Sequence, residues 1–168
     1  MLKQLTFIPL LLLMVIVVSC SSMTEEEALL GVESAVKKNF SIEKPDSNQE
    51  TKQYSYFLLS GMKEVNKSKN NIVLEKEDSI FTVFYDQNLQ LTDDIYEEEK
   101  KKDKEALLFK KISESPTGFV KVINIKNNIY ELTIGLGGVK ASTTTSKTEL
   151  LDRAEDLANL VSSFKFKK

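Results

Sequence analysis

The sequence predicts an α+β domain: an antiparallel sheet of about five to seven strands covered by an N-terminal and a C-terminal helix. Three observations predict it. Thr24-Glu25-Glu26-Glu27 and Ser146-Lys147-Thr148-Glu149 are capping boxes, and each leads into apolar residues spaced three and four apart, the mark of one buried helix face. Between them the apolar period falls to two, as strands require. Asn127-Asn128 then joins two alternating runs, and both asparagines tolerate the positive φ that a tight hairpin turn demands.

The first helix starts at Thr24, whose hydroxyl and the Glu27 carboxylate satisfy each other's unpaired backbone donors. Ala28, Leu29, Val32, Ala35, Val36 and Phe40 form its apolar face, while Glu25 to Glu27 complement the positive end of the helix dipole. Residues 41–52 are polar and contain Pro45, which predicts a linker that lets the helix dock. From Gln53 onward, Tyr54, Tyr56 and Leu58 alternate with Ser55, Phe57 and Leu59, and two partly apolar faces suit a central strand. Gly61 ends that run, residues 67–71 read as a turn, and Ile72-Val73-Leu74 opens the next strand. Glu77-Asp78 then turns the chain into Ser79 to Asp86, where Phe81, Val83 and Tyr85 alternate with Ile80, Thr82 and Phe84. That pair is expected to be a hairpin.

Glu97 to Lys104 is the densest charge run, and Glu97/Lys101 and Glu98/Lys102 stand in the favourable helical order, so a solvated helix is expected from near Asp94. No carboxylate spacing there matches a calcium loop, and the lysines oppose a cation. Residues 106–114 read as a strand, Pro116-Thr117-Gly118 as a turn, and residues 118–126 and 129–136 as the hairpin around Asn127-Asn128. Gly135, Gly137 and Gly138 lack the G-x-G-x-x-G spacing of a nucleotide loop and are expected to relieve twist or admit a bulge. Val139 to Thr145, rich in β-branched threonine, reads as a last edge strand. The helix after Ser146 should bury Leu150, Leu151, Ala154, Leu157, Ala158, Val161 and Phe164.

Composition removes whole classes of function. The 23 basic and 25 acidic residues nearly balance, without the basic excess of a nucleic-acid binder, so no nucleic-acid partner is expected. Arg153 is the single arginine, which excludes recognition of phosphate by paired arginines. With no histidine and one cysteine, the chain lacks the equipment of zinc, Ser-His-Asp and Cys-His hydrolases. No catalytic residue, metal site or cofactor is expected, although chemistry by carboxylate pairs, Ser-Lys or tyrosine stays open. Tyr54, Tyr56, Phe57, Phe81, Phe84 and Tyr85 read as core and not as a ligand box.

The N-terminal segment says where the protein works. Met1-Leu2-Lys3 is a short positive start, Leu5 to Val18 is uncharged and apolar, and Val17-Val18-Ser19-Cys20 places a small residue before the one cysteine. This resembles a bacterial lipoprotein signal peptide with its lipobox. The resemblance implies cleavage before Cys20, a diacylglycerol thioether and acylation on Cys20, and anchorage to the cell membrane on its extracytoplasmic face. Residues 1–19 are then the signal peptide, residues 20–23 a lipid-anchored tether and residues 24–168 a single α+β domain. Cleavage leaves 149 residues, and the loss of Lys3 moves the net charge from −2 to −3. An uncleaved membrane anchor competes, because residues 4–23 are uncharged and long enough to span a bilayer. A spanning helix, however, requires neither the small residue nor the cysteine. The abundance of lysine, asparagine and isoleucine fits an AT-rich genome, as in low-GC Gram-positive bacteria.

Ile129-Tyr130-Glu131-Leu132-Thr133, followed by a helix that ends Val161-Ser162-Ser163-Phe164-Lys165-Phe166, resembles the closing strand, helix and Ser-Phe ending of PsbP-like domains, over about a quarter of the chain. That likeness implies an antiparallel sheet flanked by helices and a non-catalytic accessory or assembly role. The expected function is a non-enzymatic cell-envelope lipoprotein that binds a protein partner or an envelope component. The alternative is a carrier that holds a small or apolar ligand between sheet and helix. Thr143 and Thr144, on the expected edge, are the candidate binding residues, since an unpaired edge offers backbone donors and acceptors to a partner strand.

Overall fold

Alternating apolar residues build one large antiparallel sheet, and helices bury its two faces unequally. The computed structural model describes residues 23–102 and 105–167; Cys20, the lipobox and residues 20–22 of the tether lie outside the described residues. In chain order the elements are α1 (Glu25–Ser41), β1 (Gln49–Glu50), β2 (Tyr54–Tyr56), β3 (Lys63–Lys67), β4 (Asn71–Lys76), β5 (Ser79–Tyr85), α2 (Asp94–Lys101), β6 (Ala106–Glu114), β7 (Thr117–Lys126), β8 (Ile129–Leu136), β9 (Val139–Ser146), α3 (Leu150–Ser163) and β10 (Lys165–Phe166). Seven strands pair in the order β3-β4-β5-β9-β8-β7-β6, and a small second sheet runs β1-β2-β10.

The capping box at Thr24 forms as expected: Glu27 N donates to Thr24 Oγ1 at 3.2 Å and Thr24 N donates to Glu27 Oε2 at 2.8 Å. The one at Ser146 does not. Its hydroxyl bonds the side chains of Thr148 and Glu149, a 3₁₀ turn over Lys147–Glu149 intervenes, and α3 starts only at Leu150. The stripe after it holds nonetheless, with Leu150, Ala154, Leu157, Ala158 and Val161 buried and Leu160 added to them. These residues pack on Phe81, Leu132 and Ile134 of the sheet and on Val32 and Val36 of α1 in a single core. Helix α3 lies over β8 and β9, while α1 leans on α3 and on β6. Glu33 reaches Lys110 at 3.6 Å, and the Tyr130 hydroxyl donates to Glu25 at 2.7 Å.

Asn127 and Asn128 adopt φ of 42° and 63°, as the two-residue turn between β7 and β8 requires. Gly137-Gly138 is a second such turn, joining β8 to β9 by the pairing of Leu136 with Val139, and not a simple interruption of the sheet. Gly137 has φ +54° and an added Cβ would stand 2.6 Å from the Gln90 carbonyl oxygen, so the tip of the hairpin lies against the 3₁₀ turn at Gln87–Leu89.

Two expectations need correction. Tyr54 to Leu59 was expected as one central strand; only Tyr54–Tyr56 is strand, and it is central to the small sheet, between Gln49–Glu50 and Lys165–Phe166. Val139 to Thr145 was expected at an edge, but β9 is bonded to β5 on one side and β8 on the other. The edges are β3 and β6. All five residues of β3 are exposed, with lysine at each end and a register shift against β4, which blunts it against strand addition.

Candidate functional site

The two faces of β9 separate the candidate residues. Thr143 is 4 % exposed, sits between Phe81 and Leu132 on the core side, and donates its hydroxyl to the Ile80 carbonyl oxygen at 2.7 Å. That bond is what allows a threonine into the core. Thr144 points to the opposite face and is exposed. The unpaired edge that made these two candidates is therefore missing, and only Thr144 remains at a surface. The lipidation candidate Cys20 lies outside the described residues.

Thr144 belongs to an open face. On the side of the sheet away from α3, pairing sets Thr144, Glu131 and Ile123 in one row, with Ile80 just before the first residue of β5 that pairs with β9, and Val73, Thr82, Ser142, Thr133 and Lys121 in the next. Helix α2 covers the end of these rows near β6 and β7, burying Thr133 and Lys121, whereas Ile80, Thr82 and Thr144 are exposed. Tyr96 of α2 stacks on Phe109 at 5.4 Å and meets Phe119 edge-on at 6.0 Å. The expected solvated helix is thus half buried.

Glu99, in the middle of the charge run, is only 5 % exposed. Lys121, 4 % exposed, donates to its Oε2, and Lys140 donates to its Oε1 at 2.6 Å. Burial pushes the Glu99 carboxyl up, but the bonds from Lys121 and Lys140 outweigh it and hold the group below the ordinary carboxylate range. Of its neighbours, Glu98 meets Lys102 at 2.5 Å in the open as the charge pattern predicts, whereas Glu97 reaches Lys100 at 3.9 Å and not the expected Lys101. The missed signal is Ile95: with Glu99 it lies four residues on, on one helix face.

Thr144, Thr145 and Ser146 also line a crevice of about 400 Å³ with Glu77, Glu149 and Arg153. Arg153, 5 % exposed, donates to Glu77 at 3.1 Å, Glu149 at 3.3 Å and Asp156 at 3.4 Å, above the Phe81 ring. Burial works against its charge, and the three carboxylates overcome it and raise its pKa. Its two terminal nitrogens tie α3 to the turn between β4 and β5, while its buried Nε and the Thr145 hydroxyl have no hydrogen-bond partner among the described residues.

A second concavity, about 230 Å³, opens where the small sheet meets the end of β5. Tyr54 and Tyr85 form its aromatic wall, their ring centroids 4.4 Å apart, with Gln53, Asn70, Gln87 and Asn88 around them. The Tyr85 hydroxyl donates to the Lys69 carbonyl oxygen at 2.9 Å, whereas the buried Tyr54 hydroxyl lies beside that of Tyr85 without a well-formed hydrogen bond to any of the described residues. Burial pushes the Tyr54 phenol up, and Tyr85, buried and beside the Tyr54 hydroxyl, is pushed up to about 12. Both stay neutral phenols at physiological pH. The expectation that these tyrosines are core holds for their rings and misses the cleft they wall, because Tyr54, the segment from Tyr85 to Asn88 and Phe166 meet there from distant parts of the chain.

Among the described residues no group of three or more acidic, cysteine or histidine side chains is placed to hold a metal ion, and no helix is long and apolar enough to cross a membrane. No protein-family model matches the chain, and no curated protein matches it.

Proposed function

We propose that this is a non-enzymatic cell-envelope lipoprotein, anchored to the membrane through Cys20 on the extracytoplasmic face, whose domain binds a protein partner or envelope component through the open face of its main sheet. One observation carries the reading. The face away from α3 leaves Ile80 50 % exposed beside exposed Thr82 and Thr144, with half-buried Val73, Phe84 and Ile123 among them, while the other face is filled. Apolar side chains set among hydroxyls on a rigid sheet offer a partner both desolvation energy and hydrogen bonds. The lipobox supports the anchorage, and the C-terminal likeness to PsbP-like domains supports an accessory role. The carrier alternative draws less support, because Phe81, Leu132, Leu157 and Leu160 already fill the space between sheet and helix where its ligand was to sit.

Two experiments test this. A photo-crosslinking residue at Thr144 on intact cells should give a discrete adduct that Ile80→Lys removes, while one at exposed Asp152, on the helical side, should give none. Equal labelling from both positions refutes the face. For the anchor, Cys20→Ala should leave the precursor uncleaved and free of acyl chains. Unchanged size and membrane retention, with no acyl mass on the natural N-terminus, refutes lipidation.

A further inference from the structure

We propose that the cleft walled by Tyr54 and Tyr85 binds one ring of a neutral polyhydroxylated ligand, either a free sugar or the end of a glycan chain. Size sets the first limit. A volume of about 230 Å³ lies below the ~300–1,000 Å³ of pockets for drug-sized ligands and holds roughly eight waters at ~30 Å³ each. A single small ring fits; an extended chain does not.

The hydrogen-bonding groups set the second limit. Asn70 Nδ2 donates to the Tyr85 carbonyl oxygen at 2.8 Å, Gln87 Nε2 to the Lys167 carbonyl oxygen at 2.8 Å, and Asn88 Nδ2 to Asp86 Oδ1 at 3.1 Å. In each amide the nitrogen is held by the protein, which fixes the plane of the group, and the carbonyl oxygen accepts no hydrogen bond from the described residues. Each amide keeps a carbonyl oxygen and a second N–H, so the cleft presents acceptors and donors together and calls for a ligand that both donates and accepts. Hydroxyls qualify. Lys69 and Asp86 contribute one charge of each sign, so neither a cation nor an anion gains a net field. An uncharged polyol is left.

The aromatic wall and the orphan hydroxyl agree with this. A pyranose presents an edge of hydroxyls, which meets the amides, and a face of C–H groups, for which half-buried Phe166 is the more open ring beside Tyr54 and Tyr85 at 2 % and 5 % exposure. Tyr54 is 2 % exposed and its hydroxyl lacks the partner that buried phenols ordinarily have. A ligand hydroxyl supplies it.

The test uses full-length protein in detergent, labelled on its tyrosine rings; five tyrosines give few signals. Titration with glucose and N-acetylglucosamine should shift the Tyr54 and Tyr85 resonances saturably, and glucosamine and inorganic phosphate should bind at least tenfold more weakly. Saturation by a monosaccharide assigns a free sugar, and a response only to a soluble glycan oligomer assigns a chain end. Tyr54→Phe should weaken binding about tenfold without lowering the melting temperature, since it removes a hydroxyl with no well-formed hydrogen bond in the protein. Gln53→Ala, on an exposed side chain, should weaken binding with the fold intact. Absence of a saturable shift with any neutral sugar or oligomer, tighter binding of phosphate or glucosamine, or unchanged affinity in both variants overturns the proposal.

Discussion

Replacing Glu99 by glutamine strands two lysine ammoniums against the sheet. The side chains of Lys121 and Glu99 are 5 % and 7 % exposed, and that of Lys140 is 24 % exposed. Removing one partner of a buried ion pair costs about 3–5 kcal/mol, because the charge left behind stays desolvated. Lys140 can turn toward water, so most of that cost falls on Lys121. Glu99→Gln should therefore destabilise by about 3–5 kcal/mol in urea melts at neutral pH. Lys121→Met should cost less, since Glu99 keeps Lys140, and Lys140→Met should approach the ~0–1 kcal/mol of an exposed pair. Glu99→Leu combined with Lys121→Met removes both buried charges and should recover most of the loss. The pH dependence follows with its sign. The folded Glu99 titrates below its unfolded value, so its stabilisation is complete above the ordinary glutamate pKa of about 4.3 and is lost as pH falls through the folded value. That component of the acid slope should vanish in Glu99→Gln. A Glu99→Gln protein within about 1 kcal/mol of the parent, with the same acid profile, would refute the buried triad and the seating of α2 on it.

Thr24→Ala should cost about 0.5–2 kcal/mol by chemical denaturation, since it removes the hydroxyl that accepts from Glu27 N and donates to the Glu27 carboxylate while leaving the backbone bond from Thr24 N; Ser146→Ala should stay within about 0.5 kcal/mol, because its hydroxyl caps no backbone N–H. Leu157→Ala, fully buried under the sheet, should cost about 2–5 kcal/mol, and a neutral result would remove α3 from the core. Gly138→Ala, whose added methyl would meet the Asp86 carbonyl oxygen and the Gln90 backbone, should lower the melting temperature more than Gly31→Ala, which meets only Leu151 at 3.7 Å.

Most of the fold was legible because the signals that write it are local. The Thr24 capping box, the two asparagines with positive φ and the period-two runs of β5, β7 and β8 each lie within a few residues of the structure they specify. Lys63–Lys67 was missed because an edge strand exposed along its whole length has no reason to alternate. The small sheet was missed because Phe166 pairs with Tyr54 across more than a hundred residues, and neither two-residue flank carries a pattern of its own.

The sites were less legible, for a reason that Thr143 and Glu99 share. A polar side chain reads as surface unless something hidden from the sequence satisfies it. Thr143 enters the core because the Ile80 carbonyl oxygen accepts its proton, and Glu99 enters because Lys121 and Lys140 arrive from two other strands. Tyr54 is the converse case, an aromatic ring placed in the core as its alternation predicts, with a hydroxyl the protein leaves unsatisfied. Buried polar atoms cost free energy when unpaired, so the satisfied ones trace how the chain closes on itself. Three buried side-chain atoms among the described residues stay unsatisfied, the Thr145 hydroxyl, Arg153 Nε and the Tyr54 hydroxyl, and the last lies at a cleft lined by amide side chains, where the proposed ligand would complete it.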